Sequence, residues 1–328
     1  MIPIWSHFRY NQGMDPIARA ALSSWDWRPE VIFSVLFLGT LFVLGWRRLR
    51  SISSSAKGWR SLGAGWRPVS YIAGLFVISF ALMSPLDVLV QQLFFMHMIQ
   101  HLLLIMVAPI LLLLPNPMPF LLWGLPPRWR LSVGGAINSL LNKRSVVGGV
   151  LRKMTGPATV WFIMILFIVG WHDPNMYNAA LRREFVHDLE HITMFAAGML
   201  FWWTVTGAGP RLHKNLSRPA KVIFVLAAIP PNMALGATLA FAKQPIYTFY
   251  SDMPRLWGMS VLDDQRLSGI IMWIPGSMMY FMTALALMFM ILSGEGRKPL
   301  QEDVPWLSDE ALAAPGISPR GSGKGKRV

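Results

Sequence analysis

HMIQHLLLIMVAPILLLLPNP, residues 97–117, sets two histidines four apart and then runs on without a charge as far as Pro115. About 20 apolar residues suffice to cross a bilayer as a helix, which satisfies its own backbone hydrogen bonds in hydrocarbon. Working outward from a span at 95–114, comparable apolar runs lie at 31–46, 69–84, 154–171, 185–205, 222–242 and 267–292. The expected fold class is all-α: a polytopic membrane helix bundle with about seven transmembrane helices. The composition agrees, with 54% hydrophobic and only 14% charged residues in a chain of 328, too apolar for an ordinary soluble protein.

The net charge of +14 would suit a nucleic-acid ligand if it were clustered on one surface. Instead it alternates with the spans. Segments 47–67, 128–153, 211–221 and the tail from 297 hold 22 of the 30 Lys and Arg residues, while 11 of the 16 acidic residues fall on the opposite side. The positive-inside rule then puts the N-terminus outside and the C-terminus in the cytoplasm, in contact with anionic lipid heads and with no nucleic acid as partner. Residues 1–30 carry Arg9, Asp15, Arg19, Asp26 and Arg28 with no apolar core before the first span, so no signal peptide is expected and the spans themselves direct insertion.

Residues 1–294 are expected to form one seven-helix transmembrane domain. Residues 295–328, ending GISPRGSGKGKRV, are expected to be a disordered basic cytoplasmic tail, because that composition cannot bury a core. The loop 115–156 is too proline-rich for one continuous helix and is expected to lie along the inner interface. The third helix is expected to begin near Leu86, with 86–94 projecting outward so that His97 sits near the interface. Pro109, Pro230, Pro231 and Pro275 fall inside spans, where neighbouring helices must cover the backbone groups they free.

The chain has no cysteine, so disulfides, thiolate metal sites and a Cys nucleophile are excluded, and any metal must be held by His, Met, carboxylate or backbone. Five of the seven histidines fall at one end of the expected bundle: His97 and His101 on the third span, His172 at the end of the fourth, and His187 and His191 opening the fifth. Residues four apart on a helix share a face, so each HxxxH presents two imidazoles in one direction. Ionisable groups in spans are costly and mark functional sites, and neutral imidazole is the commonest metal ligand. His97, His101, His172, His187 and His191 are therefore candidate metal ligands. Met194, three residues beyond His191, is a soft auxiliary that favours copper, and Glu190 is a group that fixes an imidazole from behind. Met96 and Met98 lie near enough to be considered; Met106, Met199 and Met233 are assigned to packing, and His7 and His213 to no role.

HMIQHLLLIMVAPILLLLPNP (97–117), GWHDPNMYNAALRREFVHDLEHITMFAAGMLFWW (170–203) and PIYTFYSDMPRLWGMSVLDDQRLSGIIMWIPG (245–276) together resemble the three signature regions of the polytopic CtaG-type cytochrome c oxidase assembly factors. The likeness covers roughly residues 68–292. It implies a multi-pass protein of the bacterial plasma (inner) membrane that aids maturation of a haem-copper oxidase and handles copper. It also implies that His97, His101, His172, His187 and His191 are motif histidines, with Glu190 and Asp264 as motif acids. Arg266 stands where a neutral residue would be expected. The expected partners are a haem-copper oxidase subunit and, as a further candidate, a periplasmic copper chaperone.

Two alternatives remain open at this point. Facing histidines such as His101 and His191 could ligate haem from both sides, making the chain a membrane cytochrome or a haem-handling protein. HDLEH, 187–191, also fits the H-x-x-E-H pattern of inverted zinc peptidases with Glu190 as general base, although the expectation is that the chain is not an enzyme.

Overall fold

The computed structural model describes residues 23–52, 62–142, 145–210 and 212–294. The expected tail, 295–328, and His7 lie outside them. Every long regular element among the described residues is helical: α1 Pro29–Ile52, α2 Trp66–Met83, α3 Pro85–Val90, α4 Phe94–Leu102, a π-helical stretch Leu103–Val107, α5 Ala108–Leu113, α6 Pro117–Gly124, α7 Pro127–Leu141 and α8 Val146–Met154. Then come α9 Pro157–Trp171, α10 Pro174–Arg182, α11 Glu184–Thr206, α12 Arg218–Leu226, α13 Ile229–Ala240 and α14 Val261–Leu292.

Five stretches are long and apolar enough to cross a membrane: Pro29–Ile52, Trp66–Met83, Phe94–Leu113, Arg218–Ala240 and Val261–Leu292. A sixth is obtained if α8 and α9, bent by 64°, count as one span. The protein is thus an all-α polytopic membrane helix bundle. The expected fifth span corresponds to α11, which at 23 residues is long enough. It falls short in apolarity because His187, Asp188, Glu190 and His191 occupy its first two turns. The same residues that mark the site thus weaken the membrane signal of the helix that carries them.

One expectation is corrected. The third helix does not begin at Leu86: α3 ends at Val90, Gln91 and Gln92 form a turn, and α4 starts at Phe94. Loop 115–156 is not one continuous helix, as expected; it holds three short helices, α6, α7 and α8, the first two with proline at their first position, where its missing N–H is harmless. α6 packs closely on α1. A Cβ on Gly45 would lie 1.8 Å from Phe120 O, and one on Gly124 would lie 2.1 Å from Leu41 O, so two glycines let the backbones of α1 and α6 touch.

Pro109 is covered as expected. Pro109 has no N–H to give Ile105 O, and Trp202 Nε1 donates to that carbonyl instead at 3.0 Å. The π-helical stretch just before Pro109 absorbs the mismatch. Gly198 fits against it, since a Cβ there would stand 2.6 Å from Ile105 O. In α14, beside Pro275, Asn232 Nδ2 donates to Met272 O at 2.9 Å. Between α12 and α13 the helix breaks just ahead of Pro230.

These contacts fix α4, the end of α9 and the start of α11 around one space. Asp264 of α14 finishes the arrangement. Leu93 cannot cap α4 with its side chain, and Asp264 accepts from Phe94 N at 3.0 Å and Phe95 N at 2.9 Å. A carboxylate from a distant helix thereby satisfies two of the free amides that open any helix.

Candidate metal centre

All five histidines and Glu190 are buried at one end of the bundle. His97 and His101 face each other one turn apart on α4, with Nε2 to Nε2 at 2.7 Å and ring centroids 4.2 Å apart. His187 and His191 form the matching pair on α11, with centroids also at 4.2 Å. The pairs interlock: His97 lies 5.3 Å from His187, and His101 lies 5.5 Å from His191, centroid to centroid. Glu190 reaches in from α11 with its oxygens 3.8 Å from His97 Nε2 and 3.6 Å from His101 Nε2, too long for hydrogen bonds.

Two sets of ligand atoms come within 4.8 Å of one another: His97, His187 and His191, and His97, His101 and Glu190. Nitrogens on a common ion with bonds of about 2 Å stand somewhat closer than that, so modest side-chain rotation would close either set. His172, expected as a fifth member, sits slightly apart, with its centroid 6.5 Å from His101. Met194 is buried in the core and lines a cavity with His101 and His172. Met98 lines that cavity too, whereas Met96 packs with Leu89, Leu93 and Leu256.

The chemistry of the donor set is legible from its missing partners. Among the described residues His101 Nδ1, His172 Nε2, His187 Nε2, both nitrogens of His191 and both oxygens of Glu190 are buried without a hydrogen bond. Each such group costs about 1–3 kcal/mol if left unmet. Those of His187, Glu190 and His191, gathered beside His97, are a donor set that suits a cation.

A chain of hydrogen bonds that sequence reading missed orients the set. Tyr250 Oη donates to Val90 O at 3.1 Å, so its oxygen must accept from Tyr177 Oη, also at 3.1 Å. Tyr177 has then spent its proton, and it accepts from His97 Nδ1 at 2.8 Å. His97 Nε2 is left as a bare lone pair facing the cluster. Because a backbone carbonyl only accepts, the direction of the whole chain is fixed from Val90. Both tyrosines lie within the quoted motifs, but nothing in their spacing marks them as partners of a histidine 80 residues away.

Arg28 closes the end of the bundle, bonding Asp26 at 3.0 Å, Asp87 at 3.1 Å and Asp188 at 2.9 Å. Burial pushes the Asp87 carboxyl up, while Arg28 and Gln100, which donates at 2.7 Å, pull it back down. Three acids around one guanidinium leave this end net negative, which attracts cations.

The family model described as cytochrome c oxidase caa3 assembly factor matches residues 40–293, nearly the whole described bundle and more than the three motifs cover. An uncharacterized protein of Mycobacterium bovis, Mb0105, is 24% identical over 251 residues, covering 74% of this chain and 37% of that protein. An uncharacterized protein of Mycobacterium leprae, ML1998, is 24% identical over 282 residues, covering 84% of this chain and 41% of that protein. The chain thus spans about two-fifths of the length of the curated relatives it matches. No solved structure matches it.

Proposed function

The chain belongs to the cytochrome c oxidase caa3 assembly factor family, and from that premise we propose that it binds copper at the histidine cluster and passes it to a haem-copper oxidase subunit during assembly. In this reading the multi-pass bundle sits in the bacterial plasma membrane with its N-terminus outside and its C-terminus in the cytoplasm. The cluster then faces the side from which a periplasmic copper chaperone could load it.

The observation that carries the reading is the convergence of unpartnered buried atoms from three side chains, His187, Glu190 and His191, beside the unprotonated Nε2 of His97. Neutral imidazoles suit copper in either oxidation state, and the carboxylate offsets part of the charge of a divalent ion. His97, His101, His187 and His191 would hold the ion; Glu190 lies near enough to join them directly or to orient them. Tyr177 keeps His97 in the tautomer that binds.

A haem ligand is less well supported. It needs a flat macrocycle between two imidazoles, and His101 and His191, with centroids 5.5 Å apart, have His97 and Glu190 packed against them. The peptidase pattern places Glu190 next to His187 and His191, yet its oxygens stand beside the other pair, on α4.

The test is genetic. In cells that depend on this chain for oxidase maturation, His187→Ala/His191→Ala should leave oxidase protein present but copper-depleted, with partial rescue by added copper. Full copper occupancy of the oxidase in that variant would remove the proposal.

A further inference from the structure

Next to the histidine cluster, further along the bundle, lies a separate cavity whose lining includes Met98, Met106, Met194 and Met272 together with His101 and His172. We propose that this cavity is a second cation station, a thioether and imidazole pocket for a soft monovalent d10 ion, joined to the first through the His101 ring.

The argument follows from where protons must sit. His172 Nδ1 lies 2.7 Å from Ile168 O, and a carbonyl only accepts, so Nδ1 carries the proton and Nε2 is a lone pair. That Nε2 is buried and has no hydrogen-bond partner among the described residues. The same logic fixes His101. The chain from Val90 through Tyr250 and Tyr177 leaves His97 Nε2 bare. The 2.7 Å contact between His97 and His101 is then a hydrogen bond donated by His101 Nε2. His101 Nδ1 is consequently a lone pair, buried and unpartnered. Two imidazoles whose protons are placed by backbone carbonyls thus line one cavity, and among the described residues no N–H or O–H answers either lone pair.

The remaining lining selects the ion. Among the described residues no carboxylate borders the cavity. Four thioethers, two neutral imidazoles and the amide of Asn232, whose Nδ2 is spent on Met272 O and Ser277 Oγ, carry no charge, which disfavours a hard or divalent cation and favours Cu(I) or its analogue Ag(I). The π-helical stretch Leu103–Val107, from which Ile105 and Met106 line the cavity, is locked by Trp202 on Ile105 O, so the widened turn is built into the fold. His101 gives Nε2 to the upper cluster, and the same residue lines this pocket. Rotation of one ring, or exchange of its proton for an ion, connects the two. The pocket rests on the copper reading only through that shared ring.

The experiment titrates the purified full chain in detergent micelles with Ag(I), and with Cu(I) under reducing conditions against a chelating dye. Wild type should take two equivalents, with sulfur scatterers in the X-ray absorption spectrum of the second. Met98→Leu/Met106→Leu/Met272→Leu conserves volume, and it should lose the second equivalent and the sulfur signal while keeping the first. His187→Ala/His191→Ala should do the reverse. The single substitution Met272→Leu guards against misfolding of the triple variant and should weaken the second site at least tenfold. Sulfur-free spectra in wild type, or an unchanged second equivalent in the methionine variants, would overturn the pocket. Loss of the first equivalent alone from wild type would instead count against the upper cluster.

Discussion

Tyr177 Oη stands 2.8 Å from His97 Nδ1, and this one contact decides which face of the ring is free to bind. Tyr177→Phe removes the acceptor and lets the imidazole choose its tautomer. Groups that orient a metal ligand from behind contribute about 10–100-fold in affinity, and a loss in that range is expected for copper at the upper cluster. Chelator competition on wild type and variant measures it. Tyr250→Phe should act in the same direction but more weakly, because Tyr177 keeps its contact with His97.

Asp264 caps α4 from another helix, and Asp264→Ala should expose the amides of Phe94 and Phe95. Loss of a helix cap costs about 0.5–2 kcal/mol. The expected outcome is lower stability in denaturant together with weaker metal binding, since His97 lies in the first turn of the freed helix. Asp264→Asn retains an acceptor and should recover most of the stability. Equal unfolding midpoints for wild type and Asp264→Ala would show that the cap carries no weight.

Gly198→Ala puts a methyl group 2.6 Å from Ile105 O, closer than a Cβ can stand to backbone. Backbone cannot give way as a side-chain tip can, so α11 must move off the π-helical stretch at a cost of about 1–3 kcal/mol. Because α11 carries His187 and His191, stability and copper content should fall together. A variant that unfolds earlier yet binds copper as wild type does would separate the packing from the site.

Glu190→Gln keeps shape and removes charge. If the carboxylate balances a divalent ion, affinity for Cu(II) should drop about tenfold or more while Cu(I), with half the charge, changes less. Parallel titrations in oxidising and reducing buffer read the difference. Equal losses in both states would make Glu190 a shape-filling residue.

Much of this was legible in the sequence because it is periodic or chemically costly. Apolar runs disclosed the bundle, and the two HxxxH pairs disclosed faces that do converge. What stayed hidden depends on distant partners. The polar start of α11 hides a helix that apolarity would otherwise have revealed. The break between Val90 and Phe94 has no glycine or proline to announce it and is sustained by Asp264, 170 residues along the chain. The prolines of loop 115–156 show in the sequence that no single helix runs through it, but not that two of them start helices. The tyrosine chain behind His97 stayed hidden too, because nothing in the spacing of Tyr177 and Tyr250 gives their depth or their partner.

The central claim, that imidazoles from α4 and α11 jointly hold copper, is tested most directly by metal analysis of the purified chain beside His101→Ala/His191→Ala. Each substitution removes one ligand from a different helix, and copper per chain should fall to background while the variant stays monodisperse. Equal copper in the two samples would contradict the account.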